Sequence, residues 1–361
     1  IIGKIKQEGG LTDANLSGMD FSRQDLTDIV LARVQLTAAN LEGVKLGDAT
    51  LIDVNLHDAR LGGADFSGAR LDRVDLAGAQ LDRAVLREAA LQNVSLAGAD
   101  LSGADFGGAF AGHCDFTGAK GNGASFLNAC LRQCRLNGLN LTGADLTRLL
   151  ARDSDFTGVV FQKTNLTKAF LVNGIFRKQR FPGCILLLTR FDQGNLQETD
   201  FSGLDITQTS FAGADLTGAR FTGSRGRYTN FNESNAAGAD FTAARFLTAN
   251  FIKARLTGTN FQSARIEESL FKETLMDKCL CRQIDAPYTD FSRAVVTGAD
   301  FSQARLHRAN FHGVRKRTAV WDGADMETIF KTDPELWAAE SWTVPNYLQR
   351  QEKKSPGSPS S

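Results

Sequence analysis

The side chains of this 361-residue chain that could do chemistry are four histidines, six cysteines and 41 Asp and Glu residues. Nucleophilic catalysis needs a base within hydrogen-bond reach of a Ser, Cys or Thr, and a third group to orient that base. His57, His113, His307 and His312 stand in no arrangement that suggests such a triad, and no Gly-rich loop opens a helix to cradle phosphate. Cys279-x-Cys281 begins a metal-ligand pattern, but no second pair or nearby His completes it. Cys114 and Cys134 lie twenty residues apart. A bridge between them is one reading. Buried free thiols acting as small hydrophobes in a reducing compartment is the favoured one. The carboxylates recur because a repeat wants a polar outward residue, so paired acids carry little information. No catalytic residue, cofactor site or metal site is assigned.

One cationic cluster remains, formed by Arg305, Arg308, His312, Arg315 and Arg317 with His307 and Lys316. It reads as a contact for an acidic partner or phosphate, or as a solvated rim beside Asp322 and Asp325. The rim is preferred.

What must position all of these groups is a five-residue register. From Leu11 to Met326 every fifth residue is almost always Leu or Phe, which makes 64 consecutive units with no insertion or deletion. Two places earlier sits a small residue, as in Ala14, Ala39, Ala59 and Ala64. A period of five matches neither the 3.6 of a helix nor the 2.0 of a strand. It suits a chain that turns a corner every few residues, with one large and one small side chain directed inward and Gly easing the corners.

The units Ala64-Asp65-Phe66-Ser67-Gly68, Ala99-Asp100-Leu101-Ser102-Gly103, Ala214-Asp215-Leu216-Thr217-Gly218 and Ala239-Asp240-Phe241-Thr242-Ala243 carry a resemblance. The chain resembles the pentapeptide-repeat family over nearly its whole length. That resemblance implies an all-β fold: a right-handed quadrilateral parallel β-helix, four units to a coil, with residues twenty apart stacked on one face. Sixty-four units would make about sixteen coils and, at ~4.8 Å per coil, a rod roughly 75 Å long. On that geometry Phe191, Phe211, Phe231 and Phe251 face Phe181, Phe201, Phe221 and Phe241 across the core. Gly226, Ala236 and Ala286 relieve the crowding.

The expected organisation is a lead-in or upstream linker over 1–10, the repeat over 11–331, a capping helix over 332–344 and a disordered tail over 345–361. Thr332-Asp333-Pro334-Glu335 reads as a helix start with a capping box. Leu336, Trp337, Ala339 and Trp342 offer apolar surface for plugging the open end of the rod. The opening Ile1-Ile2-Gly3-Lys4 lacks a starting Met and a secretory-signal layout, which leaves room for an upstream domain in the same polypeptide. Net charge is zero, and neither residues 1–170 nor 171–361 are strongly polarised, so nucleic acid or an anionic membrane is not expected as a direct partner. No apolar run is long enough for a membrane span.

The candidate binding surface is an outward column, Ala90, Phe110, Cys130, Leu150 and Phe170, in a position that elsewhere holds Asp, Asn or Arg. Leu187 and Leu188 extend it. An exposed apolar stripe marks a binding surface. The alternative at 110 and 150 is a local swap, in which a bulge turns the larger neighbour of Ala111 or Ala151 inward. Function is therefore expected to be non-enzymatic: a cytoplasmic scaffold or adaptor for protein partners. The ending from Thr332 to Glu340 and the Phe-rich second half look similar to proteins of bacterial type VI secretion, which would make it an adaptor for an effector or spike. The other reading is a DNA mimic that binds a type II topoisomerase such as gyrase, which requires a strongly acidic surface.

Overall fold

The computed structural model describes residues 7–341; the expected tail and Trp342 lie outside the described residues. The chain winds as a parallel β-solenoid in which bridges join residues twenty places apart, at every fifth position with two gaps. Leu11, Leu31 and Leu51 share one register, and so do Ser95, Asp115 and Arg135, which places Leu96, Phe116 and Leu136 one above another. One face forms an eight-stranded sheet: β1 (Gly10–Thr12), β2 (Val30–Ala32), β3 (Thr50–Ile52), β4 (Arg70–Asp72), β5 (Ala90–Gln92), β6 (Phe110–Gly112), β7 (Cys130–Arg132) and β8 (Leu150–Arg152). A second face carries β9 (Arg225–Arg227), β10 (Arg245–Leu247) and β11 (Arg265–Glu267). Elsewhere the pairing is reduced to single bridges. A short helix, α1 (Pro334–Ser341), closes the described chain.

Each five-residue unit folds the same way for local reasons. At most corners the large inward residue accepts a hydrogen bond three residues on, as from the Ala69 N–H to the Phe66 carbonyl at 2.9 Å. The residue before the donor has positive φ, +67° at Gly68, which is a type II turn. The polar residue preceding the large one holds the corner from outside. Asp65 Oδ1 accepts the Ser67 N–H at 2.9 Å, and Asp240 Oδ1 accepts the Thr242 N–H at 2.9 Å. Asp and Asn recur there because their side chains make this local turn bond.

Inside, the Leu-rich first half gives way to two phenylalanine columns. Phe181, Phe201, Phe221 and Phe241 stack with centroids 5.3, 5.0 and 4.6 Å apart. Phe191, Phe211, Phe231 and Phe251 stack at 5.6, 5.1 and 4.5 Å. The columns meet edge to face, for example Phe211 and Phe221 at 5.6 Å and 84°, an arrangement aromatic quadrupoles favour. Where the small slot holds Thr instead of Ala, its hydroxyl mostly donates to a carbonyl of the preceding coil, as Thr199 does to Phe176 and Thr209 to Leu186, both at 2.8 Å; Thr274 donates to Phe271 of its own corner instead.

Sixteen steps of twenty carry one column of bridges from Gly10 to Phe330. The other three columns each span fifteen, and two of them lack one bridge, between Val160 and Arg180 and between Ile185 and Asp205. Fifteen shared junctions less two leaves thirteen laddered on all four faces. Both gaps sit at a bulky residue in the small slot, Gln179 and Leu204. Gln179 Nε2 donates to the Val159 carbonyl at 3.1 Å, the acceptor that the backbone bridge would use. Leu139 and Leu149 are just as bulky but leave the ladder intact; beside Leu139 the large slot is Gly121, where a Cβ would come within 3.5 Å of the Leu139 Cδ1.

Candidate partner-binding surface

The proposed stripe is on the surface. Phe110, Cys130, Leu150 and Phe170 are consecutive in the bridge register, so they form one column along the eight-stranded face. Phe110, Leu150 and Phe170 are 41, 44 and 40 % exposed, whereas Ala111 and Ala151 are buried. The neighbours therefore do not exchange, and the swap is excluded at both positions. Gly112 lets the Phe110 ring lie low: a Cβ there would come within 3.2 Å of it. Phe170 ends the column under a cation, with the Arg190 guanidinium 5.4 Å from its ring centre and bound to Asp192 at 2.7 Å. Leu188 joins Phe170, Arg190, Arg148 and Lys168 around one shallow depression. Leu187 is exposed on the unit before this face, and Ile185 beside it is more exposed still, a position sequence reasoning passed over.

The C-terminal cationic cluster is dispersed. Arg305 stands 4.0 Å from Asp285, and Arg315 and Arg317 are exposed on a last coil whose large slot at Lys316 is also open to solvent. His312 belongs to the interior: it is 7 % exposed. Its Nδ1 accepts the Asp333 N–H at 3.3 Å, so Nε2 carries the proton and donates to Glu340 at 3.2 Å. Arg293, which sequence reasoning missed, holds the same carboxylate at 2.5 Å. That hydrogen bond from Arg293, with His312 adding to it, keeps the Glu340 carboxyl below its ordinary 4.5.

These bonds correct the expected cap. Asp333 is the helix N-cap, accepting from the Glu335 and Leu336 N–H groups at 2.9 and 3.0 Å; the box position three residues on is then Leu336, so Glu335 closes no box, and His312 takes the Asp333 N–H instead. Leu336 and Trp337 are 48 and 40 % exposed. Within the described residues α1 lies along the side of the last two coils, over Gly313 and Arg293, and does not plug the end. Trp321, stacked 4.7 Å from Phe301, is the aromatic that covers the core there.

The thiols are all free. Cys114, Cys134, Cys184 and Cys279 occupy small slots and direct sulfur at the same preceding-coil carbonyl that Thr uses, as Cys279 Sγ does to Leu256 at 2.8 Å. Burial pushes the Cys184 thiol up. They are structural groups, and among the described residues no cluster of His, Cys, Asp or Glu could hold a metal.

The profile of pentapeptide repeats matches residues 29–68, 69–108, 99–138, 140–177, 184–223, 227–272 and 276–315. The chain belongs to the pentapeptide-repeat family. Among solved structures, this pentapeptide-repeat protein is similar to HetL of the cyanobacterium Nostoc sp. strain PCC 7120, described as involved in heterocyst differentiation regulation. Identity is 19 %, coverage 92 % of this chain and 96 % of that one, and the TM-score 0.17. A thylakoid-lumen pentapeptide-repeat protein of Arabidopsis thaliana is 35 % identical over 26 % of this chain and 66 % of its own, with a TM-score of 0.23. QnrB1, described as a plasmid-mediated fluoroquinolone resistance protein, is 16 % identical over 71 and 92 %, with a TM-score of 0.21. No curated protein matches the sequence. No helix among the described residues is long and apolar enough to cross a membrane.

Proposed function

We propose that this pentapeptide-repeat protein is a non-enzymatic, cytoplasmic scaffold that binds protein partners through the outer faces of the rod, as an adaptor in bacterial type VI secretion. The observation that carries the binding reading is the exposed column Phe110, Leu150 and Phe170, with Leu187 and Leu188 at its far end. Nothing in the repeat requires apolar residues there, since Asp, Asn and Arg hold the equivalent place on other coils. An apolar stripe kept outward marks a contact surface. The type VI assignment is supported by the likeness of the ending Thr332 to Glu340 and of the Phe-rich second half. The topoisomerase reading is disfavoured, because Arg132, Arg148, Arg152 and Lys168 interrupt the acidic surface a duplex mimic needs.

The test is capture from a bacterial lysate, followed by reconstitution with the purified partner. Phe110→Asp, Leu150→Asp and Phe170→Asp together should leave the fold intact and abolish binding. Capture unchanged in the folded triple variant removes the stripe, and supercoiling inhibition by the chain would revive the topoisomerase reading.

A further inference from the structure

The zero net charge hides a banded molecule. Residues 1–119 hold 10 basic and 17 acidic side chains, residues 120–190 hold 11 and 3, and residues 191–361 hold 20 and 21. The first two bands share the eight-stranded face. Along one edge of that face the corner positions are acidic in early coils, at Asp28 and Asp48, and basic in later ones, at Arg148 and Lys168. Within the chain these four, and Arg132, have no partner of opposite charge among the described residues. Instead like charges stack in adjacent coils, Asp28 under Asp48, Arg148 under Lys168, and Arg132 in register with Arg152. Such neighbours repel and destabilise the isolated rod.

We infer that this face is the contact between two copies of the chain, packed face to face and antiparallel about a two-fold axis near the Ala90–Phe110 junction. The inference rests on the reading of the outward column as a binding surface and names its occupant. A two-fold axis lying in the face and perpendicular to the rod keeps each edge over the same edge of the partner and reverses the coil order. It sets Val30 against Phe170, Thr50 against Leu150, and Ala90 against Phe110. The same operation sets Asp28 against Lys168, Asp48 against Arg148, and Asp72 against Arg132. Every pair occurs twice, because a two-fold contact is self-complementary. The one like-charge meeting is Asp53 against Asp153. There Arg73 already binds Asp53 at 2.6 and 2.9 Å and Asn173 donates to Asp153 at 2.9 Å. From Val30 to Phe170 is seven steps, about 34 Å at ~4.8 Å each. A strip about 12 Å wide then buries on the order of 800 Å² in total, which places the dimer among weak, concentration-dependent contacts. Its specificity is electrostatic, and salt should weaken it.

Sedimentation analysis of the 361-residue chain across concentration, up to the millimolar range and at about 0.01 M ionic strength, reads the equilibrium directly. The wild type is expected to dimerise there and to dissociate as salt rises. Arg148→Asp with Lys168→Asp, and separately Asp28→Lys with Asp48→Lys, should each weaken self-association on the order of tenfold or more. Mixed one to one, the two variants should recover wild-type affinity as a heterodimer, a result that misfolding cannot produce. A wild type that stays monomeric throughout overturns the inference, as does a dimer that both charge reversals leave intact. The scaffold reading fails on a different result, capture left unchanged in the folded triple variant, so the two failures are told apart.

Discussion

At most small inward slots that hold them, Thr and Cys do one job: each fills the space of an Ala with an added donor that reaches a carbonyl of the coil before. Thr209→Val keeps the volume and removes the donor, so it should cost about 1 kcal/mol in chemical denaturation. Gln179 is the converse case, an oversized residue whose amide replaces a backbone bridge. Gln179→Thr should restore the Val160–Arg180 bridge and raise stability by about 1 kcal/mol, with slower exchange of the Arg180 amide as the structural check. Neither role is visible in a repeat pattern that scores a slot only as small or large. Leu188 is a second local misfit, a branched side chain held at φ +59° where its neighbours use Gly or a polar residue.

At the scale of the element, α1 hangs on His312 and Arg293 through Glu340. The Glu340 carboxyl is depressed by Arg293, so the clasp is complete above the ordinary 4.5 and is lost as pH falls through the lower folded value. Protection of the Trp337 amide from hydrogen exchange, taken against the intrinsic rate at each pH, should therefore be constant from neutral pH to about 5 and fall at lower pH, and Glu340→Ala should show the low protection at every pH. The N-cap was legible, because Asp-Pro before an apolar run is a local signal. The clasp was not: Glu340 reaches 28 residues back to His312, a distance over which a repeat says nothing about the segment that follows it. His312 accordingly looked like part of a cationic rim when it is a buried strut.

For the whole molecule, the corner carboxylates set the acid limit. Burial works to raise Asp240, and hydrogen bonds from Thr242 and Thr222 outweigh it and hold the group below its ordinary 3.8. Asp200 and Asp215 are held low in the same way. Their stabilisation is present above 3.8 and is lost as pH falls through the lower folded values. Thermal melts should stay constant down to about pH 4 and drop steeply below it. The coil geometry was readable in advance because two inward slots of fixed size leave few ways to fill a square cross-section. The charge bands were in the residues too, but dividing the chain at its middle averaged them away; only stacking by twenties shows Asp28 and Lys168 on one edge.

The two gaps in the ladder carry a mechanical consequence. Pulled from both ends, a solenoid parts where adjoining storeys share the fewest bonds, and here that is the short stretch between Val160 and Asp205. A tether fixed beyond residue 205 and a load fixed before residue 160 would thus meet a fuse in the rod, while either half taken alone would bear force intact.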